Sequence, residues 1–461
     1  MNINDTLQYM NCGLPEDILR RKMHGDYAGA IRLIDRRLAD ENLPMALGAS
    51  LEVQKLICQR LPLEFPYTKA DCMDIIRKDV PDFTEEEFDE LVDRRNVRWI
   101  YVNGEMRYFN RFYSSLCKAV PEFGKRAQQK VGGMESLTSD FATANLRDVT
   151  IAKMKKNGSL TTRIWIRATV QMKDEFFTPG MFIRAHLPIP ALCDQQKDIR
   201  IEKIWPESGS IAPETAGQRT VCWEESLQEN HPFVVEYSYL HTAKYKDAYN
   251  GTGVPGTYDF DLQQQEPHIV FSPYIKALCE ELTRGITDPL LKARAFYDFI
   301  TKNMYYTFMP DYITQENLAE NCARSYTGDC GIFAVLFLTL CRCAGIPAQW
   351  QSGMAVEPEF IGAHDWVRFY VEPYGWIFAD GSYGISSMRA GNEERRQFYF
   401  GNLDPYRMVA NSAFQENFTI PKEHWRADPY DNQLGEIESA DRGYSFAEYL
   451  RTKEVLLCEE V

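Results

Sequence analysis

Histidine is scarce in this chain and long apolar runs are missing. Only seven histidines occur among 461 residues, so imidazole chemistry has few candidates. No apolar segment approaches the roughly 18–20 residues that a membrane-spanning helix needs. The longest run lies in 331–341 and is broken by Thr339, so no membrane partner is expected. The opening residues, MNINDTLQYMNCGLPEDILRR, lack a basic stretch followed by an apolar one. They do not have the form of a signal peptide, and a cytoplasmic protein is expected. Low-complexity segments and internal repeats are also missing. Positive charge is in deficit, with 51 Lys and Arg against 66 Asp and Glu, for a net charge of −15. Such a surface repels phosphate backbones, so general nucleic-acid binding is not expected. The twelve cysteines have no framework spacing and read as free thiols in a reducing compartment. Cys341-Arg342-Cys343 has no second Cys or His pair nearby, so neither a metal nor another cofactor is expected.

What is present fits an α+β, multidomain chain; its length allows two or three domains. Residues 1–145 read as mainly helical. Pro15-Glu16-Asp17 opens an amphipathic helix expected to run to about Arg37, Thr68 can cap another, and Thr84 to Glu87 has a capping-box pattern. The run RWIYVNGEMRYF (98–109) carries Asn103-Gly104, a two-residue hairpin signal. Helices followed by a hairpin form a winged-helix-like unit near 68–109. Acidic residues crowd its second helix, so it is expected to act as a scaffold or docking unit rather than a DNA reader. Residues 146–270 read as a β-sandwich-like domain. In LTTRIWIRATVQM (160–172), Ile164, Ile166, Ala168 and Val170 share one face, and turn-formers separate the further strand candidates. Residues 271–461 form the third region.

The stretch TGDCGIFAVLFLTLCRCAGIPA (327–348) carries the chemistry. From Cys330 to Ala344 nearly every position is apolar, which marks a buried helix. Gly345 and Pro347 end it. Cys330 therefore lies in the first turn, where free N–H groups are expected to favour a thiolate and to donate to an anionic intermediate. Further on, HDWVRFYVE alternates as a strand, Pro373-Tyr374-Gly375 is a turn, and WIFAD is a second strand. Folded as a hairpin, these strands bring His364 and Asp380 opposite each other within a residue or two. A thiol nucleophile needs these partners: an imidazole to take its proton and deliver it to the leaving amine, and a carboxylate to orient the ring.

These residues resemble the transglutaminase-like superfamily, a branch of the papain-like cysteine enzymes. The similar parts are Tyr305-Tyr306, Gly328-Asp329-Cys330-Gly331, Arg342 to Ala348, Gly353, His364-Asp365-Trp366-Val367, Gly375-Trp376 and Asp380, within about 285–385. The resemblance implies an α+β, papain-like catalytic domain over 271–461 with a C-terminal extension, and a preceding sandwich module. It implies Cys330 as nucleophile, His364 as general base and acid, and Asp380 as the orienting residue. Tyr305, Tyr306 and Trp366 are expected at the substrate. The family often places proline after its aspartate, whereas this chain has Asp380-Gly381-Ser382-Tyr383. Acyl transfer through a thioester is implied, and the acceptor is not fixed. Hydrolysis of a peptide or protein-like amide is favoured, because a cytoplasmic cross-linker would be hazardous to its host. Transfer to an amine, or a non-catalytic binding protein that keeps the fold, are the alternatives. In the tail, Asp-Pro-Tyr occurs twice, explained by turn chemistry. A functional role for Arg407 or Arg426 would be to hold a substrate carboxylate.

Overall fold

The computed structural model describes residues 3–127 and 139–461; 128–138, within the expected helical region, lie outside the described residues. The N-terminal part is helical, as Glu16–Met23, Tyr27–Leu38 and Met45–Glu64. The single helix expected from Pro15 to about Arg37 is broken at Gly25. That residue has φ +75°, and a Cβ there would lie 2.3 Å from the Tyr101 carbonyl oxygen. The break lets the hairpin tip approach, and Asn103 N–H donates to the Gly25 carbonyl at 2.9 Å. Helices Lys69–Arg77 and Glu85–Asp93 each start with a complete capping box, on Thr68 and Thr84. Strands Trp99–Val102 and Glu105–Tyr108 pair across the Asn103-Gly104 turn. Cys72, Ile76, Phe88, Tyr108 and Phe112 give this unit its own small core.

Two four-stranded sheets make the sandwich. One has the order Tyr449–Glu460, Ser159–Met172, Phe233–Lys244, Gln196–Trp205. The other has Glu436–Ser439, Met181–Pro188, Thr220–Leu227, Ser210–Ile211. Ile164, Ile166, Ala168 and Val170 are buried between the sheets, as their alternation predicts. The boundaries differ from the sequence-based ones in two places. Residues 146–157 belong to the helix Ser139–Asn157. Strands Glu436–Ser439 and Tyr449–Glu460, assigned by sequence to the catalytic extension, complete the sandwich instead. The 14-residue strand Ser159–Met172 has two long edges. The middle region supplies a partner for one, and the tail closes the other.

In the third region, helices Pro273–Leu282, Pro289–Asn303 and Cys330–Cys343 accompany a five-stranded sheet. Its order is Phe400–Gly401, Gly375–Ala379, Phe360–Val371, Ala348–Glu357, Arg407–Asn411, with antiparallel neighbours throughout. Asp288 caps Pro289–Asn303 by accepting from Leu290 and Leu291 N–H. Phe337 of the buried helix packs edge-on against Phe369, and Val367, Phe369 and Val371 line the covered face. The same sheet sends Met354, Val356, Met408 and Ala410 into the sandwich core. Sheet and sandwich are thus welded by shared apolar packing. No helix among the described residues is long and apolar enough to cross a membrane.

Candidate active site

The helix Cys330–Cys343 starts on Asp329, whose Oδ1 accepts the Ile332 N–H at 3.2 Å. The Tyr312 hydroxyl donates to the same oxygen. Gly331 makes this closure possible, because a Cβ there would stand 2.2 Å from the Tyr312 oxygen. Cys330 is partly exposed as a residue, while its sulfur is crowded by protein. Burial pushes the thiol well above its usual pKa, and the Asp365 and Asp329 carboxyls push it further. The helix N-terminus was expected to favour a thiolate. In the resting site that pole is already engaged by the Asp329 cap, and the neighbouring carboxyls act on the thiol against ionisation.

On the hairpin, Val371 to Val367 pair with Gly375 to Ala379. Asp380 follows directly and caps the helix Gly381–Arg389, its Oδ1 accepting from Tyr383 N–H at 2.9 Å. Its Oδ2 lies 2.7 Å from His364 Nε2 and accepts from Arg407 Nη1 at 2.8 Å. Arg407 also forks onto Asp404, Nη2 to Oδ2 at 2.6 Å. Burial alone would raise the Asp380 pKa, but His364 and Arg407 outweigh it and hold the carboxyl well below its usual range. Burial lowers the His364 pKa despite Asp380. In the neutral imidazole that burial favours, Nε2–H donates to the Asp380 carboxylate. Nδ1 remains as the nitrogen that can exchange a proton with a thiol.

The structure brings His364 and Asp380 together. Among the described residues no hydrogen bond joins Cys330 to His364; the carboxyl that acts most strongly on the thiol is that of Asp365. Tyr305 is half exposed, with the Arg389 guanidinium over its ring at 4.9 Å. Tyr305 and Tyr306 pair in parallel with Thr327 and Gly328, just ahead of the helix Cys330–Cys343, and Tyr306 packs on Phe333. Trp366 is 1% exposed, which removes it from the expected substrate wall. Its indole donates to Gln351 Oε1 at 2.9 Å beneath Arg407. Strand alternation buries it behind His364. Neither arginine of the tail is free to hold a substrate. Arg407 is fully buried behind Asp380, and Arg426 is buried on Glu436, Nε to Oε1 at 2.8 Å. Both Asp-Pro-Tyr segments are Asx turns, with Asp404 accepting from Tyr406 N–H and Asp428 from Tyr430 N–H.

Sequence reasoning missed three groups at the site: Tyr312, Asp365 and Asp431. Asp365 was legible, since it shares the alternation of Val367 and Phe369 and so faces the helix. Asp431 and Tyr312 arrive from distant segments with no local signal. Asp431 lies near enough to act on Asp365, and its Oδ1 accepts from Ser352 Oγ at 2.6 Å, Asn411 Nδ2 at 2.7 Å and Asn432 N–H at 2.6 Å.

A sequence profile described as the transglutaminase-like superfamily matches residues 276–381, which hold Cys330, His364 and Asp380. The chain carries a transglutaminase-like domain. Solved structures similar to it include a candidate cysteine protease from Cytophaga hutchinsonii, at 17% identity and TM-score 0.43, covering 66% of this chain and 91% of that one. The periplasmic domain of TgpA from Pseudomonas aeruginosa aligns at 15% identity and TM-score 0.28, over 54% of this chain and 96% of that one. A candidate protease from Parabacteroides distasonis aligns at 11% identity and TM-score 0.23, over 50% and 60%. No curated protein sequence matches the chain. The transglutaminase-like segment thus contains the buried helix and its hairpin, while Arg407 and Asp431, which brace them, lie beyond the matched residues.

Proposed function

We propose that the protein is a thiol-dependent hydrolase, a protease or amidase, that cleaves peptide-like amide bonds through a Cys330 acyl-enzyme. The observation that carries this is the His364–Asp380 pair, 2.7 Å apart and braced by Arg407, on the hairpin beside the helix that starts at Cys330. His364 Nδ1 takes the thiol proton as sulfur attacks the acyl carbon, and later delivers it to the leaving nitrogen. The Cys330 backbone N–H, ahead of the first intrahelical bond, donates to the oxyanion. Water then resolves the thioester. Tyr305, half exposed, forms the aromatic rim of the substrate cleft with Tyr306. Twelve free thiols suit a cytoplasmic setting.

The test is incubation with a library of glutamine-containing and other peptide amides, with and without a primary amine, read by mass spectrometry. Free acid is expected as the product in both cases. Amine adducts in place of acid would replace hydrolysis by transfer, and no thioester on Cys330 with any peptide would refute both. The acid limb of kcat/KM is a second expected result. A histidine whose pKa is lowered stays neutral to a lower pH, so its service as base is lost only as pH falls below the unperturbed value of about 6.5. The pH–rate profile should therefore remain flat from pH 7 down to about 6.5 and fall below it.

A further inference from the structure

We propose that Asp365 is a further catalytic residue of this centre: its carboxyl holds the Cys330 thiol at rest and, carrying a proton shared with Asp431, donates to the acyl oxygen as that oxygen becomes negative. The inference rests on the acyl-transfer chemistry proposed above. Asp365 pairs across the sheet with Ser352 and lies two positions from Val367, on the face that the nucleophile helix covers. An apolar residue would continue that face. Instead a carboxyl, 4% exposed, faces the start of the helix, near enough for its charge to act on the thiol. Burying a carboxyl there is costly unless it is paired.

The pairing identifies where the proton resides. Ser352 pairs with Asp365 across the sheet and donates to Asp431, so the two acids are buried neighbours whose negative charges oppose each other, and one of them carries a proton. Asp431 Oδ1 accepts three donors, from Ser352, Asn411 and Asn432, all within 2.7 Å. Asp365 Oδ1 accepts one, Gln433 Nε2 at 2.9 Å, which also ties down the His364 carbonyl at 2.9 Å. The negative charge is better solvated on Asp431, which leaves the proton on Asp365. The other charged groups facing the pair agree with this. Asp329 and Asp380 flank the thiol. Arg426 and Asp428 act on Asp431. Burial pushes Lys453 down to about 7, so it supplies only part of a positive charge.

At rest, the thiol S–H is directed at one Asp365 oxygen and the Asp365 O–H at Asp431. On attack, the sulfur proton passes to His364 Nδ1, the C–S bond forms, and the carbonyl π pair moves onto oxygen. The Asp365 O–H turns to that oxygen. On collapse, the C–N bond breaks, His364 protonates the nitrogen, and the Asp365 O–H returns to Asp431. No proton is consumed at the pair.

The experiment has two arms on the full chain. In the first, Cys330 alkylation by iodoacetamide is followed by peptide mapping from about pH 5 to about pH 10, for wild type, Asp365→Ala and Asp365→Asn. The alanine change is expected to lower the alkylation midpoint by about one pH unit or more, because the acceptor that holds the thiol is gone, whereas asparagine keeps an acceptor oxygen and stays near wild type. An unchanged midpoint in folded Asp365→Ala overturns the proposal. In the second, turnover of a cleaved peptide amide is compared. Asp365→Ala is expected to lower kcat on the order of 10²-fold at unchanged KM, while Asp365→Asn, which keeps an N–H donor, stays within about tenfold of wild type. Equal losses in both variants, or none in alanine, also overturn it. Wild type that cleaves no amide yet shows the alkylation shift refutes the hydrolase and keeps the thiol–carboxyl link. Normal turnover with no shift does the reverse.

Discussion

Cys330→Ala is expected to remove turnover while leaving the fold in place. In the proposed mechanism the Cys330 sulfur forms the acyl bond, and removing the nucleophile of a cooperating set costs on the order of 10⁴-fold or more in kcat. The side chain contributes little to the core, which is built from Ile332, Phe333, Leu336 and Phe337 on the same helix. Unfolding in urea should therefore change by less than about 1 kcal/mol. The matched control is Cys341→Ala, one helix length away and fully buried. A thiol-reactive amide mimic should label wild type and Cys341→Ala at residue 330, and fail on Cys330→Ala. Labelling that survives the loss of Cys330, or turnover that does, would place the chemistry elsewhere.

Arg407→Met is expected to be the most damaging single change away from the sulfur. Arg407, Asp380 and Asp404 are essentially without solvent contact, and the guanidinium fork is shared between the two carboxylates. Methionine fills similar volume but strands both acids in a dry site. Breaking a buried ion network by removing one partner costs about 3–5 kcal/mol. Activity should fall as well, on the order of 10²-fold or more, because Asp380 would then ionise less readily and hold His364 less firmly. Arg407→Lys keeps the charge but not the fork, so it should recover part of both losses. Urea denaturation and kcat on the same preparations check the prediction. A stable, active Arg407→Met protein would mean that the arginine is incidental.

Much of the catalytic domain was legible because its signals are local. Asp288-Pro289 sets a helix start, Gly345 at φ +79° ends the nucleophile helix, and alternation in 364–372 sets the strand faces. His364 and Asp380 could be paired from a turn and two short strands. What escaped depends on long-range assembly. Arg407 was weighed as a substrate holder because an arginine beside a turn reads as solvent-facing. Nothing nearby in sequence announces that its strand is covered on both faces. Alternation sets Trp366 on the face of His364, but it does not say which face of a sheet a second layer covers. The missing layer is the sandwich, and its last two strands come from the tail. The hold of Asp365 on the thiol could not be read either, because Asp431 lies far along the chain and acts only once the tail has wrapped back.

That wrapping has a consequence for how the molecule is made. Strand Ser159–Met172 waits for Tyr449–Glu460, so its free edge stays open while the whole intervening chain is being synthesised. Sandwich and five-stranded sheet share one apolar cluster, so each leaves apolar surface open until the other has formed. A ribosome-bound chain that has not yet released Tyr449–Glu460 therefore carries an uncovered β-edge, a template for pairing with other chains.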